Sequence, residues 1–206
     1  GAIQDYNKAI ELDPKYTEAY GGRGWAKFEL KDFRGAIKDF NKVIELDPKY
    51  TEAYGGRGVA KNFLKDYKGA IQDYNKAIKL DPKYARAYFE RGMSKFILKN
   101  YQGAIQDFNK VIELNPKDAE AYFFRGWAKY FLEDYKGAIK DFNKVIEFDP
   151  KYAKAYRERG AAKVKSKDYR GAIQDYNKVI ELNRKYAGAY FLRGVAKVDL
   201  EDYRGA

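Results

Sequence analysis

The sequence contains no cysteine, no histidine and only one methionine among its 206 residues. These absences exclude disulfides, a thiol nucleophile, zinc sites built on Cys or His, and acid–base catalysis by histidine. Serine is also scarce, with only Ser94 and Ser166. No segment has the G-x-x-x-x-G-K-[ST] pattern of a phosphate loop. We therefore predict a chain that is not an enzyme and that uses no metal ion and no cofactor.

Long apolar runs are missing as well. No stretch approaches the ~20 consecutive apolar residues that a membrane-spanning helix needs. The opening residues, GAIQDYNKAIELDPK, lack the basic start and apolar run of a signal peptide. We expect no membrane insertion. Acidic residues are the minority charge: 30 of them face 41 basic residues, for a net charge of +11, which favours anionic partners or high solubility.

What the sequence has in abundance is an internal repeat. The tripeptide GAI recurs every 34 residues without an insertion. Its copies begin at Gly1, Gly35, Gly69, Gly103, Gly137 and Gly171. Such a fixed period indicates one repeated structural unit rather than a series of different domains.

Each period is predicted to form two helices. Between residues 17 and 50, apolar side chains follow helical spacing over about 19–30 and again over about 33–46. The second helix is expected to end at Asp47–Pro48, because proline lacks an N–H and disfavours helix in the residue before it. We predict a single array with both ends cut inside it, the ends being open to stacking on neighbouring molecules. Its parts are a second helix in 1–16, full repeats at 17–50, 51–84, 85–118, 119–152 and 153–186, and a first helix in 187–206.

The repeats resemble tetratricopeptide repeats. That family has the pattern W-x2-L-G-x2-Y, then A-x3-F, then P, over 34 residues. This chain reads Y-x2-R-G-x2-K, then A-x3-F, then P, with arginine for leucine and lysine for tyrosine in all six copies. In the first full repeat these residues are Tyr20, Arg23, Gly24, Lys27, Ala36, Phe40 and Pro48. The resemblance implies an all-α solenoid, a right-handed superhelix of antiparallel helix pairs, whose first helices line a concave groove for proteins or peptides.

The arginine of each first helix is the same in every copy, and so is an aspartate in each second helix. A partly buried guanidinium needs an acceptor, so we predict a structural ladder of ion pairs, such as Arg23 with Asp39 or Asp5. The alternative is a basic stripe that binds a ligand. The ladder residues are Arg23, Arg57, Arg91, Arg125, Arg159, Arg193, Asp39, Asp73, Asp107, Asp141 and Asp175.

Other positions on the first helices vary while their neighbours stay constant. They are spaced i, i+3, i+7, i+10 and i+11, which is one helix face. Apolar and aromatic residues dominate this face in the middle repeats, as in an interaction site. We predict a groove lined by Trp25, Phe28, Phe63, Arg86, Phe89, Met93, Phe96, Phe123, Trp127, Tyr130, Lys154 and Arg157. Alternatively some of these side chains, with Ile97 and Phe131, pack between adjacent helices.

The groove is predicted to run from an aromatic middle to a basic end. Residues 137–170 carry ten basic and five acidic side chains. A protein or peptide partner with a hydrophobic segment and acidic residues would suit such a groove. Two alternatives remain, namely self-assembly through the array ends or the groove, and nucleic-acid binding. Nucleic acid is the less favoured partner, because much of the lysine recurs beside aspartate and glutamate.

Overall fold

The computed structural model describes residues 1–200, and every regular element in that part of the chain is an α-helix. The predicted all-α fold is confirmed. The helices are α1 Ala2–Leu12, α2 Thr17–Glu29, α3 Phe33–Leu46, α4 Thr51–Phe63, α5 Tyr67–Leu80, α6 Ala85–Ile97, α7 Tyr101–Leu114, α8 Ala119–Phe131, α9 Tyr135–Phe148, α10 Ala153–Lys165, α11 Tyr169–Leu182 and α12 Ala187–Asp199. Residues 201–206, part of the predicted last half-repeat, lie outside the described residues.

The helices fall into two compact units, Gly1–Asn100 and Tyr101–Ala206, called here the N-terminal and C-terminal units. Within each unit, helices that are adjacent in sequence pack against one another, so each repeat contacts mainly its neighbours. The first helices of successive repeats also meet, α2 with α4 and α4 with α6 in one unit, and α8 with α10 in the other. Each unit is therefore a stack of helix pairs, which is the arrangement of an α-solenoid.

The turn inside each helix pair depends on a residue with left-handed backbone. Lys31 has φ +62°, and its N–H donates to the carbonyl of Phe28 at 2.8 Å. The next N–H, that of Asp32, donates to the carbonyl of Lys27 at 2.9 Å, so the two bonds close a Schellman-type end. The Asp32 carboxylate then accepts from the Gly35 N–H at 2.8 Å and caps the next helix. The equivalent left-handed residues are Lys65, Lys99, Glu133 and Lys167.

The turn between helix pairs begins at the residue before each proline, which is aspartate in four copies and Asn115 in the other. The Asp47 carboxylate accepts from the Lys49 N–H at 2.9 Å, while Pro48 cannot continue the helix. The Tyr54 hydroxyl of the following helix donates to the Pro48 carbonyl oxygen at 3.2 Å. Tyr20, Tyr156 and Tyr190, which are first tyrosines of other repeats, donate to the turn before their helix in the same way.

Small residues let the helices approach closely around one aromatic ring per repeat. Ala36, Phe40 and Val43 of α3 are at most 1% exposed. A Cβ at Gly24 would lie 3.0 Å from Phe40 Cε1, and one at Gly58 would lie only 2.6 Å from Tyr74 Cε1. At Gly58 packing therefore favours glycine, because a Cβ would collide with the ring, and at Gly24 a Cβ would press tightly against it.

Candidate binding surface

Each buried aspartate lies at the centre of a cluster of cationic side chains. In the first full repeat, Arg23 Nε and Nη2 donate to the two carboxylate oxygens of Asp39 at 3.0 and 2.6 Å. Lys27 Nζ approaches the same carboxylate at 2.7 Å. The remaining Arg23 nitrogen, Nη1, donates to Asn7 Oδ1 at 2.8 Å, and the guanidinium lies over the Tyr20 ring at 5.4 Å. These contacts join three successive helices.

The same cluster recurs in both units. Asp39 is 3% exposed, and so are its counterparts. The arginine–aspartate pairs are Arg23–Asp39, Arg57–Asp73, Arg125–Asp141 and Arg159–Asp175. Asp5, the other acceptor considered for Arg23, is exposed and is not among the partners of Arg23. Arg91 and Arg193 donate to Asn75 and Asn177.

Two of the columns in this cluster were not anticipated as partners. The first of these columns is the lysine that stands where the family pattern has tyrosine. It forms an ion pair with the buried aspartate in both units, through Lys27, Lys61, Lys129 and Lys163. The second column is an asparagine of the preceding second helix, whose side-chain oxygen accepts a hydrogen bond from the arginine, as Asn7 does from Arg23. The signal was available, because Asn and Lys recur in every copy at fixed distances from the arginine.

In the N-terminal unit, three predicted groove residues form a connected aromatic group. Trp25 meets Phe28 edge to face at 5.7 Å between ring centroids, and Phe28 meets Phe63 at 5.1 Å. Phe63 is 59% exposed and stacks on Phe33 at 4.9 Å. Arg86 lies over the Trp25 indole at 5.9 Å. The predicted residues Phe89, Met93 and Phe96 on α6 are half-buried.

In the C-terminal unit, Phe123 is a core residue instead of a groove residue. It is 8% exposed, because its ring packs edge to face on Phe142 and Tyr152 at 5.8 and 5.6 Å. Trp127 and Tyr130 are half-buried against the same cluster. Phe131 is 47% exposed, and its ring stacks on Tyr101 of α7 at 5.0 Å, in line with the expectation that it packs between helices. In the other unit Ile97 is equally exposed.

The predicted basic end is partly neutralised by contacts inside the chain. Arg157 donates from Nε to Glu158 Oε1 at 2.7 Å and from Nη1 to the Tyr186 hydroxyl at 2.9 Å. Lys163 pairs with a buried aspartate. Lys154 is exposed. A ligand approaching α10 would therefore meet fewer available cations than the sequence alone predicts.

An open pocket lies beside two adjacent glycines of α2. Gly21 carries no side chain on this face, where an added Cβ would meet only Val43 Cγ2 at 4.0 Å, and a space of about 200 Å³ remains between α2, α3 and α4. We call it the Trp25 pocket, and it is lined by Glu18, Gly21, Gly22, Trp25, Phe40, Val43, Tyr50, Glu52 and Ala53. The floor is apolar and aromatic, whereas two carboxylates and a phenol lie at its edge.

The edge of the Trp25 pocket is electronegative. Glu18 and Glu52 are exposed, and within residues 1–200 neither forms a hydrogen bond or an ion pair. The pKa of the Tyr50 phenol is raised, first by partial burial and then by the negative charge of Glu52 and Glu18. Both carboxylates therefore act on the same small volume, and a cation entering it would be attracted.

A buried polar chain in α4–α6 was missed by the sequence analysis. The fully buried Ser94 donates through Oγ to Asn62 Oδ1 at 2.9 Å, and Asn62 Nδ2 donates to the Tyr74 hydroxyl at 3.0 Å. The equivalent positions elsewhere are alanine for Ser94 and mostly aromatic or valine for Asn62. The sequence did contain a signal for this contact, because α4 and α6 each have a polar residue at a position that is apolar or aromatic in the other repeats.

Among residues 1–200, no three His, Cys, Asp or Glu side chains are grouped so that they could hold a metal ion. Nor does any helix in that part of the chain have the length and apolar character needed to cross a membrane.

The stacked helix pairs and their repeated motif define an α-solenoid repeat protein. The family model for the tetratricopeptide repeat matches residues 17–50, 85–118 and 119–152, and a second model, described as TPR repeat, matches 64–96 and 163–200. The chain belongs to the tetratricopeptide-repeat family, as its sequence motif predicted. Among curated protein sequences, none matches it.

Several solved structures share this fold. The MamA protein is 28% identical, with a TM-score of 0.78 over 84% of this chain and 94% of that one. YrrB, described as a TPR protein with an unusual peptide-binding site, is 23% identical, with a TM-score of 0.81 over 94% of this chain and 97% of that one. The C-terminal part of a TPR protein from Cytophaga hutchinsonii is 21% identical, with a TM-score of 0.80 over 96% and 87%.

Proposed function

We propose that this chain is a non-catalytic scaffold that holds a peptide or protein segment against the variable face of its first helices. The observation that carries the proposal is the Trp25 pocket, which opens on that face of α2. Concave sites with an apolar floor and a few polar groups are where proteins bind ligands. The fold is compatible with this role, because stacked repeats present extended surfaces.

The Trp25 pocket has the features of an anchor site for one side chain. Trp25 is half-buried and held edge to face against Phe28 and Phe40 at 5.7 and 5.3 Å. A ligand therefore meets a side chain that is already ordered, which lowers the entropy lost on binding. Aromatic anchors in pockets supply much of the binding energy of protein interfaces.

The neighbouring aromatic surface supports contact with a longer segment. Phe63 is exposed and held in place by stacking on Phe33. In the C-terminal unit, Trp127 and Tyr130 are half-buried on α8, and Lys154 is exposed on α10. We propose that each unit offers such a surface, apolar in part and charged at its edges.

Nucleic-acid binding has less support from the contacts. Many lysines already pair with carboxylates, including Lys42 with Glu45 and Lys144 with Glu147 along the second helices. Single-stranded DNA of random sequence is a direct check, since phosphate binding weakens steeply with salt. Self-assembly through the array ends or the groove also stays a prediction, and a mass that rises with concentration would support it.

The proposal is tested with a library of random peptides selected on the folded chain. We expect enriched peptides to bind the parent chain and to lose binding in Gly21→Arg, because the new side chain fills the Trp25 pocket. Gly21→Ala is the matched control, since an added Cβ would meet only Val43 Cγ2, at 4.0 Å. Circular dichroism would show that both variants keep their helices. Selected peptides that bind Gly21→Arg as tightly as the parent would contradict the proposal.

A further inference from the structure

We infer that the Trp25 pocket is a socket for the phenyl ring of a phenylalanine side chain in the bound peptide, an inference that rests on the proposed peptide-binding function. The argument comes from a second copy of the pocket's walls, which lies in the C-terminal unit. There the chain itself supplies a phenylalanine, because Phe123 stands at the position of Gly21, three periods of 34 residues later. The two places differ in this ring and share most of what surrounds it.

The apolar walls of the two places are made of the same residue types. Besides two glycines and two glutamates, the Trp25 pocket is lined by Trp25, Phe40, Val43, Tyr50 and Ala53. Each of these has a counterpart of the same type three repeats later, namely Trp127, Phe142, Val145, Tyr152 and Ala155. The chain has only two tryptophans, so no other repeat of this sequence combines an indole with these walls.

In the C-terminal unit, these walls enclose one phenyl ring. The Phe123 ring packs edge to face on Phe142 and Tyr152, with centroids 5.8 and 5.6 Å apart. It lies 6.0 Å from the Trp127 ring, and it belongs to the same buried cluster as Val145. Because only 8% of Phe123 is exposed, the walls cover a phenyl ring almost completely.

The Trp25 pocket has the walls without the ring. A Cβ on Gly21 would meet only Val43 Cγ2, at 4.0 Å, so a side chain leaving the helix at this point would find open space. That space of about 200 Å³ is larger than the roughly 150 Å³ of an apolar cavity that binds benzene. Trp25 is already held edge to face on Phe40 at 5.3 Å. A ring supplied by a partner therefore meets walls that are in place before it binds.

The aromatic walls favour a phenyl ring over an aliphatic side chain. Rings that meet edge to face gain energy beyond the burial of their area, and a leucine side chain lacks this gain. The acidic edge does not oppose the ring, because Glu18 and Glu52 are exposed and keep their hydration. Glu120, the counterpart of Glu18, is exposed in the same way in the repeat that contains Phe123.

The test uses N-acetyl-phenylalanine amide, with N-acetyl-leucine amide as the aliphatic control, each titrated into the isotopically labelled chain. We expect the phenylalanine compound to shift the amide resonance of Gly21 and the indole resonance of Trp25. The shifts should persist when salt is added, because no ion pair is involved. The leucine compound should bind about tenfold more weakly. Equal binding of the two compounds, or no shift with phenylalanine, would overturn the inference.

A substitution that supplies the ring from within the chain locates the interaction. Gly21→Phe should fill the pocket as Phe123 fills its own place, so that N-acetyl-phenylalanine amide no longer shifts the Trp25 indole resonance. It should also raise the Tm above that of Gly21→Ala, although alanine is the better helix former. Gly21→Ala is the matched control and should keep binding the compound, since its Cβ leaves the space open. A Tm for Gly21→Phe no higher than that of the control, or an undiminished shift, would overturn the inference.

The two proposals fail separately. If library peptides lose binding in Gly21→Arg but bind the parent chain equally well with leucine in place of phenylalanine, the pocket binds peptides and the phenyl assignment is wrong. If no peptide binds the chain, the scaffold proposal fails and the phenyl inference fails with it.

Discussion

The N-terminal and C-terminal units are built from the same repeat, yet they use the same place in it differently. In the N-terminal unit, Gly21 lines an open pocket beside Trp25. In the C-terminal unit, Arg157 and Phe123 occupy the corresponding places and make internal contacts. The buried Arg–Asp–Lys clusters, by contrast, are alike in both units. The layer that repeats in both units therefore supports the fold, and the variable face is where the repeats differ.

The largest effect is expected from breaking the layer that the units share. Asp73→Ala in one unit and Asp141→Ala in the other each leave an arginine and a lysine without their buried carboxylate. We expect each to lower the free energy of unfolding by roughly 3–5 kcal/mol, measured by chemical denaturation. The control is Glu45→Ala, because the Glu45 carboxylate pairs with Lys42 on the surface. Removing this surface pair should cause no measurable loss of stability. If only one of the two aspartate variants lowered the free energy of unfolding, the ion-pair cluster would not stabilise both units.

A smaller effect separates the packed glycines from the open one. Gly58→Ala and Gly160→Ala should each cost about 1–3 kcal/mol, because the new Cβ would lie 2.6 Å from Tyr74 Cε1 and 2.7 Å from Tyr176 Cε1. Gly21→Ala should gain up to about 1 kcal/mol through helix propensity. Thermal unfolding of the three variants gives the comparison, and a stabilised Gly58→Ala would contradict the packing account.

Alkaline pH tests the burial of two tyrosines, one in each unit. Burial raises the pKa of both the Tyr74 and the Tyr176 phenols. An unfolded phenol titrates near pH ~10, so their share of the stability is complete below that pH and is lost as the pH rises above it. Tyr176→Phe should therefore make the fall in stability between about pH 10 and 11 shallower, with little change at pH ~7, since Phe142 takes the equivalent place in the same unit.

The same change in the other unit provides the contrast. Tyr74→Phe also removes the acceptor for Asn62 Nδ2, so we expect an added cost of about 0.5–1.5 kcal/mol at neutral pH. Denaturant titrations across pH measure both variants. Identical profiles for the two would mean that the polar chain through Asn62 and Ser94 contributes nothing.

The smallest effect concerns the turns inside the helix pairs. Lys65 and Lys167 both have φ +63°, a conformation in which glycine carries no steric penalty. Lys65→Gly and Lys167→Gly should each stabilise by about 0.5–1 kcal/mol, the relief of strain being partly offset by the greater freedom of unfolded glycine. Differential scanning calorimetry checks the sign, and a lower Tm in either variant would contradict it.

Much of the fold could be predicted because the same local signals recur in every copy. The period, the helix pairs and the proline turns follow from spacing and backbone sterics. For the site, sequence reasoning identified the variable face but not which side chains on it are open. Phe123 and Phe131 have similar chemistry, yet Phe123 is buried against rings of α9 and of the turn before α10, and Phe131 is exposed. That difference depends on residues far away in the sequence.

The sequence by itself determined the solenoid family, the helix pairing and the need of each partly buried arginine for an acceptor, because these depend on a pattern repeated every 34 residues. Only the tertiary structure decided that Lys27 and Asn7 complete the arginine cluster, and that the place beside Trp25 is open. The physical reason is that this space is bounded by three helices at once. Glu52 of the next repeat lines the open place, whereas the equivalent place one repeat further on is lined by both Trp25 and Arg86 and has no space that a water molecule could enter.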